Sequence, residues 1–244
     1  MKIAIVAITK KGKSSALKIK RAIPDSKIYF FKGNLKGLSG KLFEEFDGII
    51  FCMAAGIVVR VIKDYIKDKY TDPAVVVVDE EGRFAISLLS GHEGGANDLA
   101  IQVSNILGAE PVVTTASESR KKIVIGIGCR RGINKNEIKT AVKYALKQTR
   151  YSINRVKCFA TIDLKQDENG LREACLEFGV PLRIVSSELI KRFSGIYKKS
   201  SFVKEKIGVE GVSEPCALIA ARKPKMILGK TKIGGVTIAV VKEA

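Results

Sequence analysis

Leu88-Leu89-Ser90-Gly91-His92-Glu93-Gly94-Gly95-Ala96-Asn97-Asp98-Leu99-Ala100 joins a β-rich run, Ala74–Ser87, to a segment whose Leu99, Val103, Ile106 and Leu107 recur on one helix face. Three glycines, Gly91, Gly94 and Gly95, thus lie between a strand and a helix start. There the first backbone N–H groups lack intrahelical partners and the helix dipole favours negative charge. The chain's sole histidine, His92, stands in this turn with Glu93 and Asp98. Such a loop is a candidate site, because loops on a rigid scaffold carry function more often than the elements they join. An ordinary strand-to-helix connection with a structural histidine fits the same residues. The turn lacks the Lys-Ser/Thr ending of a P-loop and is not G-x-G-x-x-G, so nucleotide binding is disfavoured.

Outward from this stretch the pattern is strand and helix in alternation. Met1–Ile8, Lys27–Phe31, Gly48–Met53 and Ala74–Val78 read as strands, and Glu80-Glu81-Gly82 as a tight turn to a hairpin partner at Phe84–Ser87. Ser14–Ala22, Gly40–Phe46, Val58–Lys67 and Leu99–Leu107 read as helices, and Pro111–Thr114 as a closing strand. In such sheets ligands bind beyond the carboxyl ends of strands, where the turns Ala54-Ala55-Gly56 and Ser90–Gly95 are both expected. A polar patch, Ala116–Lys122, is the best linker, after which the alternation restarts. Strands are expected at Ile123–Ile127, Lys157–Ile162 and Pro181–Val185, with Met226–Leu228 and Gly235–Val241 closing a sheet edge. Helices are expected at Lys135–Gln148, capped by Asn134, at Asp167–Phe178, closed by Gly179, and at Ser187–Arg192 and Ser213–Ala221, with a basic loop at Ser194–Ser201. The fold class is therefore two α/β domains, residues 1–118 and 119–244, with mainly parallel sheets flanked by helices.

Composition narrows the function. Of 244 residues 46% are hydrophobic, enough for a core, and no apolar run approaches a membrane span of about 18 residues. Met1–Ile8 is too short for a signal peptide, so a cytoplasmic protein with no membrane partner is expected. The cysteines Cys52, Cys129, Cys158, Cys175 and Cys216 form no C-x-x-C pair, and with one histidine no metal site is expected. Cys129 lies beside Arg130 and Arg131, whose charge would lower its pKa. The net charge of +18 is uneven: 17 basic and 14 acidic residues through Arg120 give +3, and 26 and 11 beyond it give +15. That excess suggests an anionic partner, although a lysine-rich surface of the thermophilic kind gives the same balance.

Three clusters join the central loop as candidates. Arg60 follows Ala54-Ala55-Gly56, with Lys69, Asp72 and Pro73 beyond it. Gly128-Cys129-Arg130-Arg131-Gly132 offers backbone amides and two guanidiniums, the cation that binds carboxylates in a directional, bidentate way. Gly211–Ala217 is a helix start open to an anion or to ordinary capping.

The runs Asp72-Pro73-Ala74-Val75, Val78-Asp79, Leu88-Leu89-Ser90-Gly91-His92 and Gly94-Gly95-Ala96-Asn97 closely resemble the signature of the cobalt-precorrin-5A hydrolases (CbiG) of anaerobic cobalamin biosynthesis. Gly126-Ile127-Gly128-Cys129-Arg130-Arg131-Gly132, Ala160–Lys165, Val212-Ser213-Glu214 with Ala217, and Ala220-Ala221 resemble that family's second domain, which is similar to the stand-alone CobE proteins. One departure stands out: Thr114-Thr115-Ala116-Ser117 runs almost directly into the glycine-arginine motif, where family members carry a further segment, and Ser117 and Glu118 replace the usual aspartate.

The resemblance implies a hydrolase acting on carbon–carbon bonds, which opens the δ-lactone of a cobalt tetrapyrrole and releases acetaldehyde to give cobalt-precorrin-5B. It implies no cofactor, the cobalt being carried by the substrate. Fitted to that chemistry, His92 is the general base or acid, with Glu93, Asp98 or Asp79 as substitutes. Gly94, Gly95 and Asn97 would stabilise an oxyanion. Ser90, Gly91, Gly128 and Cys129 would contact substrate, and Arg60, Arg130 and Arg131 would hold its carboxylates. The alternative is a non-catalytic carrier of a corrinoid intermediate. RNA binding ranks lower, since aromatics are 7% with no Trp and no RNA-recognition motif occurs. A homodimer is compatible with the sequence.

Overall fold

Apolar runs without polar alternation, such as Ile3–Ala7 and Ala74–Val78, form strands buried on both faces, and they set the architecture of the computed structural model, which describes residues 1–31, 33–116, 120–195, 197, 205 and 208–244. The chain divides into two compact units, Met1–Thr115 and Ala116–Ala244. Each is an α/β sandwich with its own core, and the two sheets are mostly parallel.

The first unit runs β1 (Ile3–Ala7), α1 (Lys10–Ala22), β2 (Lys27–Phe30), α2 (Leu35–Glu45), β3 (Gly48–Cys52), α3 (Ala55–Ile62), β4 (Ala74–Val78), β5 (Phe84–Leu89), α4 (Ala96–Leu107) and β6 (Glu110–Val112). The strand order is β2-β1-β3-β4-β5-β6. Odd positions of β1 bury Ile3, Ile5 and Ala7 against α1 and α4, while Ala4 and Val6 face α2 and α3. All four helices start three to five residues earlier than the spacing-based reading places them, α1 at Lys10 with Thr9 as its cap, α3 at Ala55 and α4 at Ala96. Asn34 caps α2 by accepting from Gly37 N, so that helix starts earlier than Gly40. The helix expected through Lys67 stops at Ile62, and Asp72 then accepts the Lys67 amide at 3.0 Å.

The strand β5 is antiparallel to β4, with Val78 opposite Ala85 and Val75 opposite Leu89. Asp79 fixes the intervening turn by accepting from the amides of Arg83 and Phe84. This hairpin corrects the expected location of the loop at Ser90–Gly95. Because β5 runs backwards, the loop emerges at the amino ends of β3 and β4, whereas Ala54-Ala55-Gly56 lies at their carboxyl ends.

The second unit comprises β7 (Ile123–Cys129), α5 (Lys135–Thr149), β8 (Val156–Ile162), α6 (Asn169–Phe178), β9 (Leu182–Val185), α7 (Ser187–Arg192), α8 (Ser213–Ala220), β10 (Lys225–Ile233) and β11 (Val236–Lys242). Its order is β10-β11-β7-β8-β9, with β11 antiparallel to both neighbours. Alternate residues of β7 divide the core: Ile123, Ile125 and Ile127 pack on α5 and α6, and Val124 packs on the side of α8. Gly126 lets α8 lie directly on the sheet, since a Cβ there would sit 1.8 Å from Ser213 O. Most of the basic loop expected at Ser194–Ser201, and residues 117–119 of the polar patch, lie outside the described residues.

Candidate functional site

The loop after β5 is wound around one residue. Ser90 adopts φ 54°, a left-handed conformation that is strained for a side-chain-bearing residue, and its carbonyl accepts from the amides of Gly94 (3.1 Å) and Ala96 (3.2 Å). The Asn97 amide donates to Gly91 O at 2.9 Å, and Leu99 N to Gly95 O at 3.0 Å. Gly95, at φ 84°, supplies the left-handed turn into α4. Gly94 is there for closeness: a Cβ on it would meet Ser90 Cβ at 2.5 Å and approach Asp72 O at 3.4 Å. The buried Asn97 side chain accepts from the Ser87 hydroxyl at 2.8 Å and donates to Thr115 Oγ1 at 3.0 Å, tying β5, α4 and the end of the unit together.

Against that frame His92, Glu93 and Asp98 are exposed, so the backbone turns inward and the titratable groups outward. The Gly94 amide is bonded to Ser90 O and the Asn97 carboxamide is buried between two hydroxyls, so both shape the loop. The Ser90 hydroxyl is buried with no hydrogen-bond partner among the described residues, an arrangement that costs free energy and persists only where the surroundings fix it.

Lys69 Nζ lies 2.9 Å from Glu93 Oε1, so the Asp68–Pro73 stretch and the histidine loop meet at the amino ends of the strands. Hydrogen bonding from the Lys69 ammonium holds the Glu93 carboxyl below the ordinary glutamate range, and a backbone N–H adds to it. With a lowered folded pKa, this carboxylate favours the native loop above the ordinary glutamate value, and that contribution is lost as pH falls through the lowered one. In Lys69→Gln the Glu93 carboxyl is expected to titrate higher, back toward the ordinary range. Side-chain carboxyl NMR shifts followed against pH check this, and an unmoved midpoint would remove Lys69 as the cause.

Two of the other candidates lie elsewhere in the same unit. Arg60 is exposed, its guanidinium donates back to Gly56 O at 3.1 Å, and it belongs to the helix that starts at the carboxyl end of β3. Asp79, the fallback acid, is bound to Arg83 Nε at 2.9 Å in the β4–β5 turn, away from the histidine loop. Asp98 lies in the first turn of α4, where its charge complements the helix dipole.

In the second unit, Gly128 and Cys129 end β7 and lead into Arg130 and Arg131. Arg130 pairs with Glu137 at 2.8 Å, and its amide donates to Gly235 O. Glu168 accepts from Gly132 N at 2.9 Å and from Lys165 Nζ at 2.9 Å, a half-buried pair that fixes the turn. The lowered thiol pKa expected at Cys129 is corrected: burial pushes it up to about 11, and the Lys165 ammonium offsets this only in part. Alkylation of Cys129 by iodoacetamide is therefore expected to be slow at pH 8 and to accelerate up to about pH 11. Rapid labelling at pH 7 would contradict that environment.

Among the described residues no group of three or more His, Cys, Asp or Glu gathers as a metal site, and no helix is long and apolar enough to cross a membrane. Tyr70, 74% exposed beside Lys69, went unnoticed in the sequence, where nothing distinguishes a displayed tyrosine from a core one.

Comparison with known proteins covers both units. Residues 38–118 match the family model described as cobalamin synthesis G N-terminal, and residues 123–241 the model described as cobalamin synthesis G C-terminus. The cobalt-precorrin-5A hydrolase of Priestia megaterium is 29% identical, the alignment covering 97% of this chain and 94% of that protein. A protein of Methanocaldococcus jannaschii named as a probable cobalt-precorrin-5A hydrolase is 30% identical, covering 100% of this chain and 99% of its own length. That alignment runs over 328 positions against 244 residues here, so at least 84 of its positions have no counterpart in this chain. The crystal structure of CobE, from the cobalamin biosynthetic pathway, aligns with 50% of this chain and 91% of its own at 22% identity and a TM-score of 0.48.

Proposed function

The chain belongs to the cobalamin synthesis G family, and from that premise we propose that it is a cobalt-precorrin-5A hydrolase, opening the δ-lactone of its substrate and releasing the two-carbon fragment as acetaldehyde to leave cobalt-precorrin-5B. The observation that carries the reading is a rigid loop that presents His92 and Glu93 outward, beside Lys69. In this reading His92 takes a proton from water as the oxygen attacks the lactone carbonyl. The Gly95 amide meets the charge that develops on the carbonyl oxygen. Collapse breaks the ring C–O bond and yields a carboxylate and an alcohol. Loss of the alcohol proton then expels acetaldehyde by C–C cleavage, and the macrocycle carbon takes up a proton. Glu93, a carboxylate at neutral pH, favours the imidazolium that forms beside it.

Arg130 and Arg131 offer guanidiniums to anionic ligands in the second unit, which holds most of the excess positive charge. Mass spectrometry of the pigment after anaerobic incubation with cobalt-precorrin-5A tests the proposal. A tetrapyrrole lighter by the two-carbon fragment is expected. Pigment that co-purifies with the protein at unchanged mass would replace the hydrolase with the carrier.

A further inference from the structure

The segment between α3 and β4 was not assigned a role by the chemistry above, yet it is built to display two side chains. Asp68 accepts from the amides of Tyr70 (2.8 Å) and Thr71 (3.2 Å) and from the Thr71 hydroxyl (2.7 Å). Asp72, buried, accepts the Lys67 amide with both oxygens, at 3.0 and 3.1 Å, and donates its own N–H to Asp68 O at 3.0 Å. Two carboxylates thus close a short loop on itself. Such a loop loses little further entropy when something binds to it.

What it displays is an aromatic ring and a cation. Tyr70 has the highest exposure of the large apolar and aromatic side chains among the described residues, 74%. Leaving such a ring in water forgoes its burial, and an aromatic held out on a fixed loop suits a flat partner. Lys69 Nζ lies 4.8 Å from that ring's centroid and 2.9 Å from Glu93. The ion pair is largely exposed on the lysine side, 59%, so water screens it and an incoming carboxylate can take the ammonium at little cost. The ring and cation adjoin the histidine loop, since Gly94 packs near Asp72 O.

We infer that the Lys67–Asp72 loop is the recognition edge of this site, its Tyr70 ring stacking on the conjugated face of a tetrapyrrole and its Lys69 ammonium taking one of the macrocycle's peripheral carboxylates from Glu93. The inference rests on the hydrolase reading above and names which part of the substrate each side chain meets. Exchange of Lys69 from Glu93 to substrate also leaves Glu93 beside His92 without its cation once substrate is bound.

The test is steady-state turnover and absorbance-monitored binding of anaerobic cobalt-precorrin-5A by Tyr70→Ala, Tyr70→Phe and Lys69→Gln, with Tyr144→Ala on α5 as an exposed-tyrosine control. Tyr70→Ala is expected to raise Kd and KM about tenfold with kcat within about twofold, the size of one lost stacking contact. Tyr70→Phe keeps the ring and is expected to bind as wild type, and Tyr144→Ala likewise. Lys69→Gln is expected to raise KM by about tenfold and to flatten its dependence on salt. Wild-type binding by Tyr70→Ala, or a fall in its kcat alone, would overturn the inference while leaving the hydrolase reading intact. A wild-type protein that neither binds nor converts the pigment would overturn both.

Discussion

Acetaldehyde release by the His92→Ala protein is expected to fall by about two to four orders of magnitude, the usual contribution of a positioned acid–base group, with binding of the pigment kept. The expectation follows from where the side chain sits. His92 is exposed, and the hydrogen bonds that hold its loop are made by Ser90, Gly91, Gly94, Gly95 and Asn97. Truncating the imidazole therefore removes a chemical group and leaves the frame, so the melting temperature is expected to stay within about 2 °C of wild type, as for surface substitutions. A variant with near wild-type turnover would move the base to another of the acids, first of all Glu93, which lies 2.9 Å from the Lys69 ammonium.

The second large effect concerns stability. Gly126→Ala places a methyl 1.8 Å from Ser213 O and 2.9 Å from the Ala217 Cβ, so α8 must move off the sheet. Neither obstacle is the tip of a flexible side chain. Overpacking of this kind costs about 3 kcal/mol, at the upper end of its usual range. For a unit of this size that is a melting temperature lower by roughly 10 °C. Gly132→Ala is the informative comparison. Gly132 has φ 66° with nothing among the described residues within 4 Å of a Cβ, so backbone strain is what opposes alanine, at about 1 kcal/mol. Differential scanning calorimetry of the two variants separates them, and equal melting temperatures would mean that α8 is not seated on Gly126.

Much of the fold was legible because its signals are local. Runs such as Ala74–Val78 announce buried strands, Glu80-Glu81-Gly82 announces a hairpin, and Asn134 and Gly179 bound their helices as the caps predict. The edge on which the histidine loop lies was not read from the sequence, although the hairpin was. Reversing β5 carries its end to the amino side of β4, which separates Ser90–Gly95 from Ala54–Gly56 and from Arg60.

Two of the remaining differences have the same origin in contacts distant along the chain, and the third is local. Asn97 reads as a ligand group in the sequence, where nothing shows that its amide donates to Thr115, eighteen residues later. Cys129 looks activated by its arginine neighbours in sequence, but desolvation by the packed turn outweighs them. Tyr70 has no sequence signature at all: its display depends on two aspartates that close the loop beneath it.

The central claim is hydrolysis at the loop around His92. Its most direct test is a single turnover of anaerobic cobalt-precorrin-5A by excess wild-type protein, with acetaldehyde counted against pigment consumed. About one acetaldehyde is expected for each pigment converted, on the timescale of ordinary enzymatic turnover. Pigment bound tightly and recovered intact, with no acetaldehyde released, would contradict it.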